Sequence, residues 1–293
     1  MTSVLVVGAT GLIGRPVAER LLADGRRVRV LVRDRSRARR LLGPRFDYAE
    51  GDIRDRTAVS RALYRCDAVH VSVSGESAAE MSAVEGVGTA IVAEAAAAAR
   101  VRLLTYVSGN LVRETYGPKI AEHQAKIEAE DAIRASGVPY VIFRPTYFMD
   151  SLPRHVQGSF AVTIGRPRPL HMVAASDFGA MVSRAYDLPK IADSELAVYG
   201  PEPVTIQESL RHYRDIVQPG LRCVSVPIPA MAAANGLFLG GKFSGTLQLM
   251  RLLERVGERG DPSSAWQLLG APTTTVREWC EHQVWATGAA RPA

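Results

Sequence analysis

The chain has 293 residues, 47% of them hydrophobic and 23% charged, with a formal net charge of +6. These proportions are those of a globular protein large enough for a substantial core, and they exclude a disordered chain, a collagen-like repeat and a disulfide-stapled miniprotein. Three widely spaced cysteines (Cys66, Cys223, Cys280) and histidines without an HxxxH or HExxH pair leave no expectation of a disulfide framework or a metal site, and fit a reducing, cytoplasmic setting.

In chain order, Ser3–Val7 is a short β-branched apolar run of the kind buried on both faces of a parallel sheet, and it ends at Gly8. Helical spacing follows over 15–24, closed by Gly25 as a natural C′ residue, then valines alternate with arginines in a second strand over 28–32. The alternation continues: a helix through Leu42, a strand near 46–48, and helices at about 56–65, 80–99 and 119–135 separated by strands at 68–73, 103–107 and 139–143. This rhythm predicts a Rossmann-type, doubly wound α/β sheet over 1–150, to which 174–204 is expected to return. There Asp177 is expected to cap a helix running to Tyr186, before a strand at 196–199. Residues 151–173 and 205–288 are expected to form a smaller, mainly helical substrate lobe, its last helix capped at Thr274–Thr275 ahead of Glu278, and 289–293 a disordered tail. No membrane span is expected, because 87–99 carries Glu94 and 226–241 is broken by Pro227, Pro229, Asn235 and glycines. No basic leader with a cleavage site precedes the first strand.

The most informative motif is Gly8-Ala-Thr-Gly11-Leu-Ile-Gly14, between the first strand and the first helix. Gly8 permits the tight turn, Gly11 lets the backbone approach a pyrophosphate, and Gly14 lets the helix pack on the sheet, with Thr10, Leu12 and Ile13 expected to touch the cofactor as well. The helix N-terminus supplies free amides and positive dipole to the phosphates. Dinucleotide sites that prefer NAD place an acid at the end of the second strand; here Arg33 precedes Asp34. Arginine pairs bidentately with a 2′-phosphate and Arg37 can add to that contact, which points to NADP(H). The alternative leaves Arg33 on the surface and gives the ribose to Asp34. Nine arginines fall between Arg26 and Arg45. Without a helix-turn-helix, zinc or RNP-type signature they are read as solvated surface or nucleotide-phosphate contacts, not as a nucleic-acid site.

Together with Gly51-Asp52-Ile53, Tyr106-Val-Ser-Gly109, Ser136 to Pro145 and Leu269 to Thr275, these motifs resemble the atypical short-chain dehydrogenase/reductases, and within them the NmrA-like branch. The likeness covers most of 1–204 and the last 30 or so residues. It implies that Asp52 and Ile53 sit at the adenine and that Val73, Ser74 and Gly75 line the cofactor. Superfamily members that carry out hydride chemistry place Tyr-x-x-x-Lys on the helix before the sixth strand. Here Lys126 fits as the cofactor-binding or catalytic lysine, while the tyrosine position holds Glu122. Glu122, Lys126 and Glu130 also have the spacing of an ordinary surface ion-pair ladder. The resemblance further implies catalytic roles for Ser108 and Tyr147, with His123 and His171 ranked below them.

The function expected is that of an NADP(H)-dependent reductase of a small, fairly apolar carbonyl or conjugated substrate, held between 151–172 and 220–250, with the run Pro229–Leu239 as an apolar wall. The alternative is a non-catalytic, NADP(H)-responsive regulator of the NmrA type. A small molecule is the expected partner, with oligomeric state open.

Overall fold

The computed structural model describes residues 2–114, 120–188, 190–241 and 243–287. The chain divides into two compact units, the first made of 1–145, 175–198 and 261–270, the second of 146–174, 199–260 and 271–293. The first unit alternates strands and helices: β1 (Ser3–Val7), α1 (Gly14–Ala23), β2 (Arg27–Val32), α2 (Arg35–Leu42), β3 (Asp47–Glu50), α3 (Arg56–Leu63) and β4 (Ala68–Val71). A continuous helix then begins as α4 (Ala78–Glu80), widens into a π-helix (Met81–Gly88) and continues as α5 (Thr89–Ala98). β5 (Leu103–Val107), α6 (Ala121–Ser136) and β6 (Tyr140–Pro145) complete the first pass.

The strands lie in the order β10-β6-β5-β4-β1-β2-β3, every pair parallel, where β10 is Ser194–Val198. β1, β4 and β5 are almost wholly buried, as their unbroken apolar runs require. Strand order reverses between β1 and β4, and in such sheets the crevice at the carboxyl ends beside the reversal is where ligands bind. One face of the sheet packs α3, α5 and α6 around Leu5, Val71, Val92, Leu104, Tyr106 and Ile133. On the other, Phe178 meets Phe143 edge to face, with ring centres 5.3 Å apart.

Two expectations change here. The helix returning to the first unit, α7 (Ala175–Ala185), starts two residues earlier than its expected cap: Asp177 lies in its first turn, where the carboxylate favours the helix dipole. Residues 261–270, assigned from sequence to the smaller lobe, belong to the first unit. Their helix, α11 (Ser263–Leu269), packs on α7 and β10, and Arg184 Nε donates to the Leu268 carbonyl at 3.0 Å. The stretch interrupted by Glu94 is part of the continuous helix Ala78–Ala98, in which an 18-residue window reaches a mean hydropathy of 1.2, as a buried core helix also can. Its Ile91, Val92 and Ala96 lie in the hydrophobic core of the first unit.

The second unit contains a 3₁₀ helix (Met149–His155), then β7 (Val156–Gln157), β8 (Phe160–Ile164) and β9 (Leu170–His171). Later come β11 (Pro203–Val204), α8 (Ile206–Ile216), β12 (Arg222–Val226), α9 (Ile228–Leu237), α10 (Ser244–Arg255) and α12 (Val276–Thr287). β12, β8 and β7 form one small sheet, β11 and β9 another. The expected cap of α12 is present as a reciprocal box: Thr275 N donates to Glu278 Oε2 at 2.8 Å and Glu278 N to Thr275 Oγ1 at 3.2 Å. The expected tail at 289–293 lies outside the described residues.

Candidate active site

The glycine turn sits at the carboxyl end of β1, and its geometry depends on the absence of side chains. Gly8 has φ of +95°, and a methyl group on it would lie 2.0 Å from the Ser72 carbonyl oxygen at the end of β4. A methyl on Gly14 would lie 2.2 Å from the Gly8 carbonyl oxygen. Gly11 N donates back to Gly8 O at 2.9 Å, and α1 opens without a side-chain cap. Thr10, Gly11 and Leu12 are exposed and Ile13 is half-buried. The turn therefore offers exposed backbone and the positive end of a helix, at the sheet's reversal point, in a cradle that a Cβ would fill. These residues fit a dinucleotide pyrophosphate.

At the end of β2, Arg33 is exposed. The neighbouring Asp34 caps α2, its Oδ1 accepting from Arg37 N at 2.8 Å. Arg37 is exposed in the first turn of that helix. Asp52 accepts from Arg54 through Nε at 2.8 Å, Nη2 at 2.7 Å and the backbone amide at 2.9 Å. Those bonds outweigh partial burial and, with the nearby charges of Arg54 and Arg33, hold the Asp52 carboxyl at about 2. Ile53 is buried, and a methyl on Gly88 would lie 2.9 Å from its Cγ2. Val73 Cγ1 comes within 3.3 Å of a methyl built on Gly8, and Ser74 beside it is exposed.

Lys126 is not part of a surface ladder. It is buried, and its Nζ donates to Oε1 of Glu85, a residue with no solvent exposure that the π-helix brings against α6. Glu122 is a more distant partner at 3.9 Å. Burial alone would lower the lysine pKa; the Glu85 carboxylate overrides it and keeps Lys126 protonated well above the ordinary lysine range. Tyr106 from β5 lies close enough to interact with this pair, and its buried hydroxyl and Glu85 Oε2 have no hydrogen-bond partner among the described residues. His123 is buried too, which lowers its pKa and leaves it neutral.

Glu130, the third member of the expected ladder, is fully buried in a separate network. Its carboxylate accepts from Ser108 Oγ at 2.7 Å, Arg113 Nε at 2.7 Å, Arg144 Nη2 at 2.9 Å and Arg134 Nη2 at 3.0 Å. Burial raises its pKa, but the bonds from Arg144, Ser108 and Arg113 prevail and hold it at about 2. Ser108 is thus tied to a carboxylate at the end of β5. In the second unit, His155 Nδ1 lies 3.0 Å from the Val162 carbonyl oxygen and must carry the proton; its Nε2, 3.0 Å from Tyr147 Oη, therefore accepts from the tyrosine. His171 is clamped by Glu258 through both its backbone amide and its ring, each at 2.6 Å. α9 leaves Leu237 and the following Phe238 76% and 81% exposed. A charged hollow lined by Arg20, Asp24, Arg26, Arg184 and Asp187 lies at the amino ends of β1 and β2, and its Arg20–Asp24 and Arg26–Asp187 pairs satisfy one another.

Sequence reasoning missed Glu85. The signal was available: a lone carboxylate in the apolar run Met81 to Val92 needs a buried cation.

A family model described as NAD(P)H-binding matches residues 8–185. The chain is 29% identical over 285 residues, 95% of its own length and 97% of the relative's, to the (4-alkanoyl-5-oxo-2,5-dihydrofuran-3-yl)methyl phosphate reductase of Streptomyces griseus. Among solved structures it is similar to an NADPH-dependent quinone oxidoreductase of Escherichia coli complexed with NADPH (TM-score 0.77, 20% identity, 96% of this chain and 99% of that one). It is also similar to the triphenylmethane reductase of Citrobacter complexed with NADP(H) (TM-score 0.73, 18% identity, 96% and 99% covered). With its glycine turn, sheet order and matched region in agreement, the chain belongs to the NAD(P)H-binding family.

Proposed function

We propose that this protein is an NADP(H)-dependent reductase of a small, fairly apolar carbonyl or conjugated substrate. The observation that carries the cofactor choice is the exposed Arg33 beside an Asp34 that caps α2 through Oδ1. An exposed arginine able to pair with a 2′-phosphate, beside an acid that serves as a helix cap, favours the phosphorylated dinucleotide, with Arg37 assisting. The full-length likeness to a reductase supports the reaction class. In this reading Gly8, Thr10, Gly11, Leu12, Ile13 and Gly14 hold the pyrophosphate. Asp52 and Ile53 border the adenine, while Val73 and Ser74 line the cofactor.

The bound nicotinamide supplies the hydride. Lys126 presents its ammonium to the nicotinamide ribose. Tyr147 and Ser108 are the candidate proton donors. Tyr147 ranks first, because its hydroxyl is held by a neutral imidazole, whereas that of Ser108 is held by a carboxylate in a charge-assisted bond. A second reading, an NADP(H)-binding regulator without turnover, is favoured by Glu122 at the tyrosine position and by both hydroxyls being turned toward protein acceptors.

The test is the oxidation of NADPH, followed by its absorbance, with quinones, conjugated ketones and unsaturated lactones. Turnover is expected with at least one class, and Lys126→Ala should lower it at least about a hundredfold. Near wild-type turnover in that variant removes the catalytic assignment. Tight NADPH binding without oxidation across all three classes selects the regulator.

A further inference from the structure

The π-helix, which nothing in the cofactor motifs accounts for, brings Glu85 to Lys126. A π turn is wider than an α turn and shifts the phase of the side chains around it; such turns concentrate at functional sites. α6 packs along Met81–Gly88, and Gly86 makes the approach close: a methyl there would lie 2.8 Å from Glu128 Oε2 and 3.7 Å from the Ala125 carbonyl oxygen of α6. The groups that face the Lys126 ammonium are Glu85 from the π-helix, Tyr106 from β5, and Glu122 and His123 from α6 itself. Tyr106 and His123 are neutral, and Glu122 is 3.9 Å away with its side chain 41% exposed. Glu85 is therefore the only fully buried anion against Lys126 among the described residues. A buried ammonium that loses such a partner gives up its proton or leaves the site.

We propose that Glu85 is a positioning residue for the cofactor site, its buried carboxylate holding the Lys126 ammonium charged and oriented toward the nicotinamide ribose. This rests on the assignment of Lys126 to the cofactor made above. Glu85 touches neither substrate nor cofactor in this role; it acts through the lysine.

The test uses the full chain labelled with carbon-13 at lysine Cε. The sequence has only four lysines, at 119, 126, 190 and 242, so the Lys126 resonance is assigned by its loss in Lys126→Met. Wild-type Lys126 is expected to show no titration up to about pH 10. In Glu85→Gln it should titrate at least about one unit below the ordinary lysine value. Glu85→Asp, which keeps the charge, should restore the wild-type behaviour. NADPH affinity of Glu85→Gln, measured by calorimetry, should fall at least about tenfold as pH rises through that same midpoint, while wild-type affinity stays level over the range.

A Lys126 resonance that does not titrate in Glu85→Gln, or an NADPH affinity indifferent to the substitution at every pH, overturns the proposal. If Glu85→Gln fails to fold, the double variant with Lys126→Met decides. Removal of the stranded ammonium should make it more stable than the single variant, and equal or lower stability overturns the pairing. Lys126→Met binding NADPH as tightly as wild type overturns the lysine assignment itself. That result differs from failure of the Glu85 proposal alone, in which Lys126→Met weakens binding and Glu85→Gln changes neither readout.

Discussion

At position 14 a single methyl group would lie 2.2 Å from the Gly8 carbonyl oxygen and 2.7 Å from its carbonyl carbon, both rigid backbone atoms. Gly14→Ala must therefore open the turn between β1 and α1, and the amides aimed at the pyrophosphate move with it. NADPH affinity should drop at least about tenfold by calorimetry while the far-ultraviolet spectrum is retained. Arg33→Asp tests the other end of the cofactor. It replaces a charge-assisted pair by repulsion, so NADPH affinity should fall about thirtyfold or more with little effect on NADH. Equal losses for the two cofactors contradict the 2′-phosphate assignment. Gly14 was legible in the sequence because its role follows from backbone geometry, and Arg33 was legible as a candidate from its charge and place. Whether Asp34 or Arg33 faces the ribose was not, since an aspartate before a helix serves equally as cap or ligand. Its bond to Arg37 N favours the cap.

The helix pair formed by the π segment and α6 carries most of the buried charge. Gly75 abuts the start of that segment, and a methyl there would lie 2.4 Å from Met81 N and 2.6 Å from the Glu80 carbonyl carbon. Gly75→Ala should thus displace the helix that bears Glu85, at about 1–3 kcal/mol in a denaturant titration. Glu130→Gln leaves Arg113, Arg134 and Arg144 around a neutral amide, and a loss of about 3 kcal/mol is expected from the same measurement. A loss under about 0.5 kcal/mol would mean the arginines are already satisfied by solvent. The helices themselves were legible, but their environment was not. The spacing of Glu122, Lys126 and Glu130 puts them on one helix face without saying what covers it. The π turn has no distinct sequence period, so the partner of Lys126 could be found only through the fold.

Across the whole molecule, buried groups in the first unit make stability acid-sensitive, His70 and Glu130 prominent among them. His70 is fully buried on β4, where desolvation depresses its pKa from 6.5 to about 3, with Nδ1 2.8 Å from Thr105 Oγ1. The native state refuses the proton that the unfolded chain accepts, so stability is complete above about pH 6.5 and is lost as pH falls toward 3. The slope is about 1.4 kcal/mol per pH unit, or about 2 kcal/mol at pH 5. Glu130, held at about 2 against an ordinary 4.5, adds a second loss as pH falls from 4.5 toward 2. Urea titrations at pH 7 and 5 check the first slope, and His70→Gln should reduce it, with buried His123 supplying part of what is left. The parallel sheet was readable because long apolar strands alternate with helices. The second unit was not, since its strands are short, its prolines interrupt the periodicity, and β12 is largely exposed.

In the proposed site the glycine turn and Arg33 together bind the phosphorylated dinucleotide. Calorimetric titration of the cofactor-stripped protein with NADPH and with NADH tests it most directly. NADPH is predicted to bind at least about tenfold more tightly than NADH. Equal affinities, or a preference for NADH, would contradict it.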